Sequence, residues 1–268
     1  MEAKSSSPLR KKRHDSRCIF PLPDIVPLLI ATLAFLLAGF VKGVIGLGLP
    51  TVSMGLLSVV MPPAKAAALL IVPSFVTNIW QLAAGSNFGR LARRLWPMLV
   101  GVVLGSLAGT GLLTGGHAGQ AAVGLGLLLM LYAGMGLTSV RFSVAPAAEW
   151  WLGPLVGAST GLLTAATGVF AIPAVPYLGA LGLEKDDLIQ ALGLSFTVST
   201  IALAAALAGG GAFDLGNIGA STAALAPALL GMAAGGLVRD RFTERTFRRI
   251  FFWGLLLLGA HLASRALI

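Results

Sequence analysis

Apolar runs recur along the chain, at about 25–44, 49–61, 64–85, 95–114 and 118–140, and again at about 150–167, 169–183, 187–209, 215–238 and 245–266. A run of about 20 apolar residues is what an α-helix needs to cross the hydrocarbon of a bilayer. The pattern predicts an all-α, polytopic membrane protein of about 8–10 hydrophobic segments. The second segment of each set is short and joins the first through glycines, so it either crosses obliquely or re-enters. The runs divide the chain into a basic tail over 1–24, read as disordered ahead of a retained first helix, a first repeat over 25–140, a linker loop over 141–149 and a second repeat over 150–268, together one membrane domain.

The two halves resemble each other. Leu95, Pro97, Leu99, Gly101 and Gly105 recur as Leu225, Pro227, Leu229, Gly231 and Gly235, all at an offset of 130. Gly39 and Gly43 match Gly157 and Gly161, Pro50 matches Pro173, and Ser74 and Phe75 match Ser195 and Phe196. Charge orients the halves. Arg90, Arg93 and Arg94 precede the Pro97 helix, whereas Arg239, Arg241, Arg245, Arg248 and Arg249 follow the Pro227 helix. Cytoplasmic loops collect Arg and Lys, so if both clusters are cytoplasmic the two helices run in opposite directions and the repeats are inverted. An odd number of crossings per half then places the N-terminus outside despite Lys11, Lys12 and Arg13; five arginines in a short loop outweigh an exported tail.

Composition narrows the class. Of 268 residues 56% are hydrophobic and only 11% charged, which calls for lipid as solvent. The net charge of +9 sits in short clusters between apolar runs, the membrane pattern rather than a nucleic-acid surface. The single cysteine, Cys18, builds no disulfide and no metal or redox motif.

The stretch AGFVKGVIGLGLP, residues 38–50, concentrates Gly39, Gly43, Gly46 and Gly48 ahead of Pro50, and a helix should break there. Pro50 suits the first turn of a new helix, whose Thr51, Val52 and Ser53 would offer amides and two hydroxyls to an anion. Close helix packing is the other use of such glycines. Lys42 is the formal charge set well within an apolar run; it is either a functional counter-charge or a snorkelling amine, about 27 Å along the helix from Asp24. The corresponding stretch in the second half offers Thr164 and Thr167 before Gly168. Further on, Ser74, Thr77, Asn78 and Gln81 form one polar stripe on a helix, and Ser195, Ser199 and Thr200 a partner stripe with Thr197 beside it. Such stripes either bind an oxyanion or hold helices together.

Absences matter too. No Asp or Glu lies inside an apolar run, Glu184, Asp186, Asp187 and Asp214 being placed in loops, so a proton or sodium route built on membrane carboxylates is not expected. There is no P-loop and no serine-protease constellation around Ser106, and His117 and His261 stand alone. No enzymatic activity is expected, and if the chain carries an anion these absences predict a uniporter in which the anion's own charge couples it to the membrane potential.

These segments together, AGFVKGVIGLGLP with MPPAKAAAL downstream, PSFVTNIWQ, and TGLLTAATGVFAIPAVPYL, resemble the TauE/SafE family of sulfite and organosulfonate exporters over about residues 25–266. Many members carry three or four consecutive glycines at the break, where this chain has GLGLP. The resemblance implies a multi-pass carrier of the bacterial inner membrane that exports sulfite, an organosulfonate or a related oxyanion. The expected site lies between the two broken regions, with Lys42, Gly43, Gly46, Gly48, Pro50, Thr51, Ser53, Ser74, Thr77, Asn78 and Gln81 from the first half. The second half adds Thr164, Thr167, Gly168, Pro173, Ser195, Thr197 and Ser199. The alternatives are a carrier of a carboxylate or neutral metabolite, or a non-transport membrane protein. No cofactor, metal or nucleic acid is expected; the partners are the anion and the lipid bilayer, with homo-oligomer formation left open.

Overall fold

The computed structural model describes residues 25–115, 118–138, 143–212, 215–239 and 243–264; the tail, His117 and Asp214 lie outside them. They form ten α-helices with no strand among them: α1 (Ile25–Ile45), α2 (Leu49–Leu57), α3 (Pro63–Ala83), α4 (Phe88–Ala108), α5 (Ala118–Thr138), α6 (Glu149–Thr167), α7 (Ala174–Ala180), α8 (Lys185–Gly209), α9 (Leu215–Val238) and α10 (Glu244–Ser264). Six of them, α1, α3, α4, α5, α8 and α9, are long and apolar enough to cross a membrane. The protein is a multi-pass helical membrane protein.

Two boundaries differ from the apolar runs for physical reasons. α4 starts at Phe88, so Arg90, Arg93 and Arg94 ride on its first turns instead of preceding it. Arg94 donates to both carboxylate oxygens of Glu149 at 2.8 and 2.6 Å and to the Leu181 carbonyl at 3.0 Å, and Arg90 pairs with Asp187, which keeps charge on a helix where hydropathy alone would stop it. Asp186 and Asp187, expected in a loop, belong to the first turn of α8, where carboxylates favour the exposed amides of a helix start. Asp187 is buried, receiving Asn87 Nδ2 at 2.7 Å besides Arg90.

Glycine sets the two tightest pairings. A Cβ at Gly39 would meet the Ala228 carbonyl oxygen at 2.1 Å, and one at Gly231 would meet that of Leu36 at 2.0 Å, so α1 and α9 touch backbone to backbone. The same holds for α4 and α6, where a Cβ at Gly105 or Gly161 would meet the carbonyl oxygens of Ala158 and Val102 at 2.1 and 2.0 Å. In both pairs residue numbers rise together, so each pair is parallel. α5 and α10 are antiparallel, with Gly126 beside Gly259 and Gly136 beside Phe252. α3 packs on α8 and α9, and α4 on α8. Exchanging α1 to α5 for α6 to α10 maps these main pairings onto themselves.

α3 and α8 form the middle of the molecule. They cross antiparallel, Asn78 meeting Thr200 while Gln190 bonds the carbonyls of Leu82 and Gly85 at 2.9 and 2.7 Å. Around them the outer helices turn leucines such as Leu28, Leu33, Leu104 and Leu230 outward. That face is where lipid belongs.

Candidate functional site

Both expected helix breaks are present. α1 ends at Ile45, and the chain turns through Gly46 at φ 76° and Gly48 at φ 105°, a backbone that a side chain would strain. α2 begins at Leu49 with Pro50 in its first turn, and Val52 closes the first helical bond onto the Gly48 carbonyl at 2.8 Å. The Val52 amide is therefore already used, and the amides ahead of it, Leu49 and Thr51, are those a helix start leaves over. In the second half Gly168, at φ 73°, caps α6, and α7 starts after Pro173 but is only seven residues long. Its dipole is correspondingly small, so the two halves are unequal at the breaks.

Lys42 does not snorkel. It is 4% exposed, and its Nζ donates to Thr77 Oγ1 at 3.1 Å and to Asn78 Oδ1. Asn78 Nδ2 in turn donates to Thr200 Oγ1 at 3.4 Å, so the lysine of the first break is tied through α3 to α8 where the halves cross. All the groups it meets are neutral. No carboxylate of the described residues lies within ion-pair distance of it.

The remaining expected residues separate by what their polar atoms already do. Ser53 donates to the Leu49 carbonyl at 2.6 Å, Thr164 to Thr160, Thr167 to Leu163 and Thr197 to Gly193, each bonding one turn back on its own helix. Gln81 Nε2 donates to the Ile189 carbonyl at 3.0 Å and braces α3 on α8, leaving its Oε1 without a partner. Gly43 is a packing residue: a Cβ there would meet the Met232 carbonyl oxygen at 2.2 Å. The hydroxyls of Thr51, Ser74, Ser195 and Ser199, by contrast, are buried with no hydrogen-bond partner. Buried polar groups are nearly always satisfied, so these four hydroxyls on α2, α3 and α8 are the candidate donors that the fold leaves unused. Ser74 lies one turn from Asn78 on the face that carries Lys42's acceptors, and Ser195 lies one turn from Ser199.

Thr200 was visible as part of the second stripe but not as a contact of Asn78. Gln190 was missed altogether: its Oε1 takes Asn87's backbone amide at 2.9 Å and its Nε2 donates to the carbonyls of Leu82 in α3 and Gly85 in the turn after it, locking the α3–α4 turn onto α8. Nothing in its local sequence distinguishes it from an exposed glutamine at a helix start.

Chemically, the described residues offer a buried lysine, unpartnered hydroxyls and a helix start beside a glycine turn, group types that replace water around a small oxyanion. Among the described residues no group of His, Cys, Asp or Glu could hold a metal ion. Neither the curated proteins nor the solved structures contain a match to the chain. The family described as Sulfite exporter TauE/SafE matches residues 31–262, nearly the entire chain, and the protein belongs to this family of membrane transporters.

Proposed function

We propose that the protein exports a small oxyanion, sulfite or an organosulfonate, across a bacterial inner membrane through a site at the crossing of α3 and α8. One observation carries the reading. Lys42 is buried against neutral groups only, and its ammonium form there is costly unless an anion completes it. The unpartnered hydroxyls of Thr51, Ser74, Ser195 and Ser199 support it, because an anion with several equivalent oxygens accepts from several donors at once. The family supports transport as the activity, and its description supports sulfite as the starting candidate.

We also read the two halves as inverted repeats. α3 and α8 are antiparallel, and so are α5 and α10. α4 runs parallel to α6 and to α8, Arg90 meeting Asp187 at one end and Gly209 lying against Thr110 at the other. The link 210–214 between α8 and α9 reaches at most about 18 Å, too short to recross a hydrocarbon layer of about 30 Å, so α9 returns antiparallel to α8 with α1 alongside it. Each long helix then opposes its counterpart.

The purified chain in liposomes tests the function. Sulfite and methanesulfonate should be transported and should raise the melting temperature, with acetate and a neutral sugar far weaker. Equal stabilisation and flux with acetate would replace the sulfur oxyanion by a broader carboxylate carrier, and no flux of any solute would end the transport reading for this chain alone.

A further inference from the structure

The two protonation forms of lysine differ in donor count, and the surroundings of Lys42 match one of them. A neutral amine has two N–H bonds and an ammonium three. Nζ has two acceptors, Thr77 Oγ1 at 3.1 Å and Asn78 Oδ1. Neither bond can be reversed. The Thr77 hydroxyl hydrogen goes to the Pro73 carbonyl at 2.7 Å, and Asn78 Nδ2 donates to Thr200, whose hydroxyl is spent on the Phe196 carbonyl at 2.7 Å. The pocket supplies an acceptor for each N–H of an amine and is one acceptor short for an ammonium.

No charge on the packed helices makes up the difference. α2 and α9 carry no titratable side chain, Lys42 is the only one on α1, and α3 carries only Lys65 in its first turn. On α8 the titratable residues are Lys185, Asp186 and Asp187, in its first turn and remote from Thr200. On α10 they are Glu244, Arg245, Arg248 and Arg249 at its start and His261 near its end, with Arg248 and Arg249 exposed.

Resting on the anion site proposed above, we propose that Lys42 takes up one proton with each anion, the empty carrier holding the amine and the loaded carrier an ammonium whose third N–H donates to the anion. The Nζ lone pair forms the new N–H bond, no bond of the anion breaks, and release on the far side returns both proton and anion. With a monoanion neither the empty nor the loaded site carries net charge, so the turnover of the carrier moves none. Proton and anion travel together, and the membrane potential drops out. This replaces the uniporter expected from the lack of membrane carboxylates, which counted acids and histidines as the only proton carriers.

The test uses the full chain in proteoliposomes with labelled methanesulfonate, a strong-acid anion that brings no proton of its own, and with sulfite in parallel after its own protonation is subtracted. A gradient of one pH unit, acid on the starting side, should drive accumulation of about tenfold, and a potassium-diffusion potential should leave flux unchanged. Flux that follows voltage and ignores pH overturns the coupling while the anion site stands. Absence of binding and flux for both anions overturns the site as well. Lys42→Arg is charged at every working pH, so it should keep anion exchange yet lose net flux by about tenfold or more, because the empty carrier must then move a bare charge. Wild-type net flux in Lys42→Arg overturns the proposal. Lys42→Met should bind methanesulfonate weakly and without pH dependence, whereas wild-type affinity should rise as pH falls; parallel pH profiles in the two would also overturn it, even if the arginine variant does not fold.

Discussion

A hydroxyl buried without a partner costs the protein that holds it about 1–3 kcal/mol, and replacing it by an apolar group of similar shape is nearly neutral or stabilising. This separates a ligand-binding hydroxyl from a structural one. Thr51→Val, Ser195→Ala and Ser199→Ala should leave the ligand-free melting temperature unchanged or raised, while each reduces the shift produced by sulfite or methanesulfonate. A lowered ligand-free melting temperature would show that these hydroxyls hold the fold. Thr197→Val is the contrast, its hydroxyl being spent on the Gly193 carbonyl at 2.7 Å, and it should leave anion binding alone. The same comparison explains what could be read from sequence at this scale. Lys42, Thr77 and Asn78 stood out because any polar group in an apolar run does. Which serines and threonines are free did not, because bonding one turn back on the same helix depends on a rotamer. Thr164, Thr167 and Ser53 look like Ser195 on paper. The partnership of Lys42 with α3 was equally hidden, since it joins two helices across a turn whose course rests on positive-φ glycines.

At the scale of the helix, charge and close approach hold the elements in place. α4 and α6 share a seam in which Gly161 faces the Val102 carbonyl, so Gly161→Val forces the backbones apart and should cost about 1–3 kcal/mol, read as a drop in melting temperature in detergent. Gly134→Ala, where an added Cβ meets nothing within 4 Å, is the matched control and should not lower it. At the start of α6 the paired Arg94 guanidinium holds the Glu149 carboxyl below its ordinary range, against a smaller opposing effect of burial. A lowered carboxylate contributes stability that is present above the unfolded value of about 4.3 and is lost as pH falls through the lower folded value. The melting temperature of the wild type should fall more steeply than that of Glu149→Gln as pH drops below about 4. The Gly101, Gly105 and Gly231, Gly235 strings were legible as seams, and hydropathy placed all ten segments. The Arg94 and Arg90 clamps were not legible, because counting apolar runs discards the charged turns at helix ends where such clamps form.

Across the whole molecule the pairings fix directions that a membrane converts into sides. Arg90, Arg93 and Arg94 lie on the first turns of α4, parallel to α6 and α8, so the starts of these three helices share one face. On the inverted-repeat reading proposed above, α9 returns toward that face and α10 leaves from it, which brings Arg239, Arg248 and Arg249 to the same side as the first cluster. Two arginine clusters on one face are what positive-inside orientation requires, and the direction of each half follows from it. The loop after α4 then lies on the opposite side, where Leu112 is 52% exposed and open to a reagent. In a Cys18→Ser background, single cysteines at Gly89 and Thr243 should react with a membrane-impermeant maleimide only when the cytoplasmic face is accessible, and a cysteine at Leu112 only from outside. A Cβ at Gly89 meets nothing within 4 Å and Thr243 is exposed, so neither substitution disturbs packing. Labelling of Gly89→Cys and Thr243→Cys from opposite faces would overturn the return of α9 toward the first arginine cluster and remove the inverted arrangement on which a central site between the two halves depends.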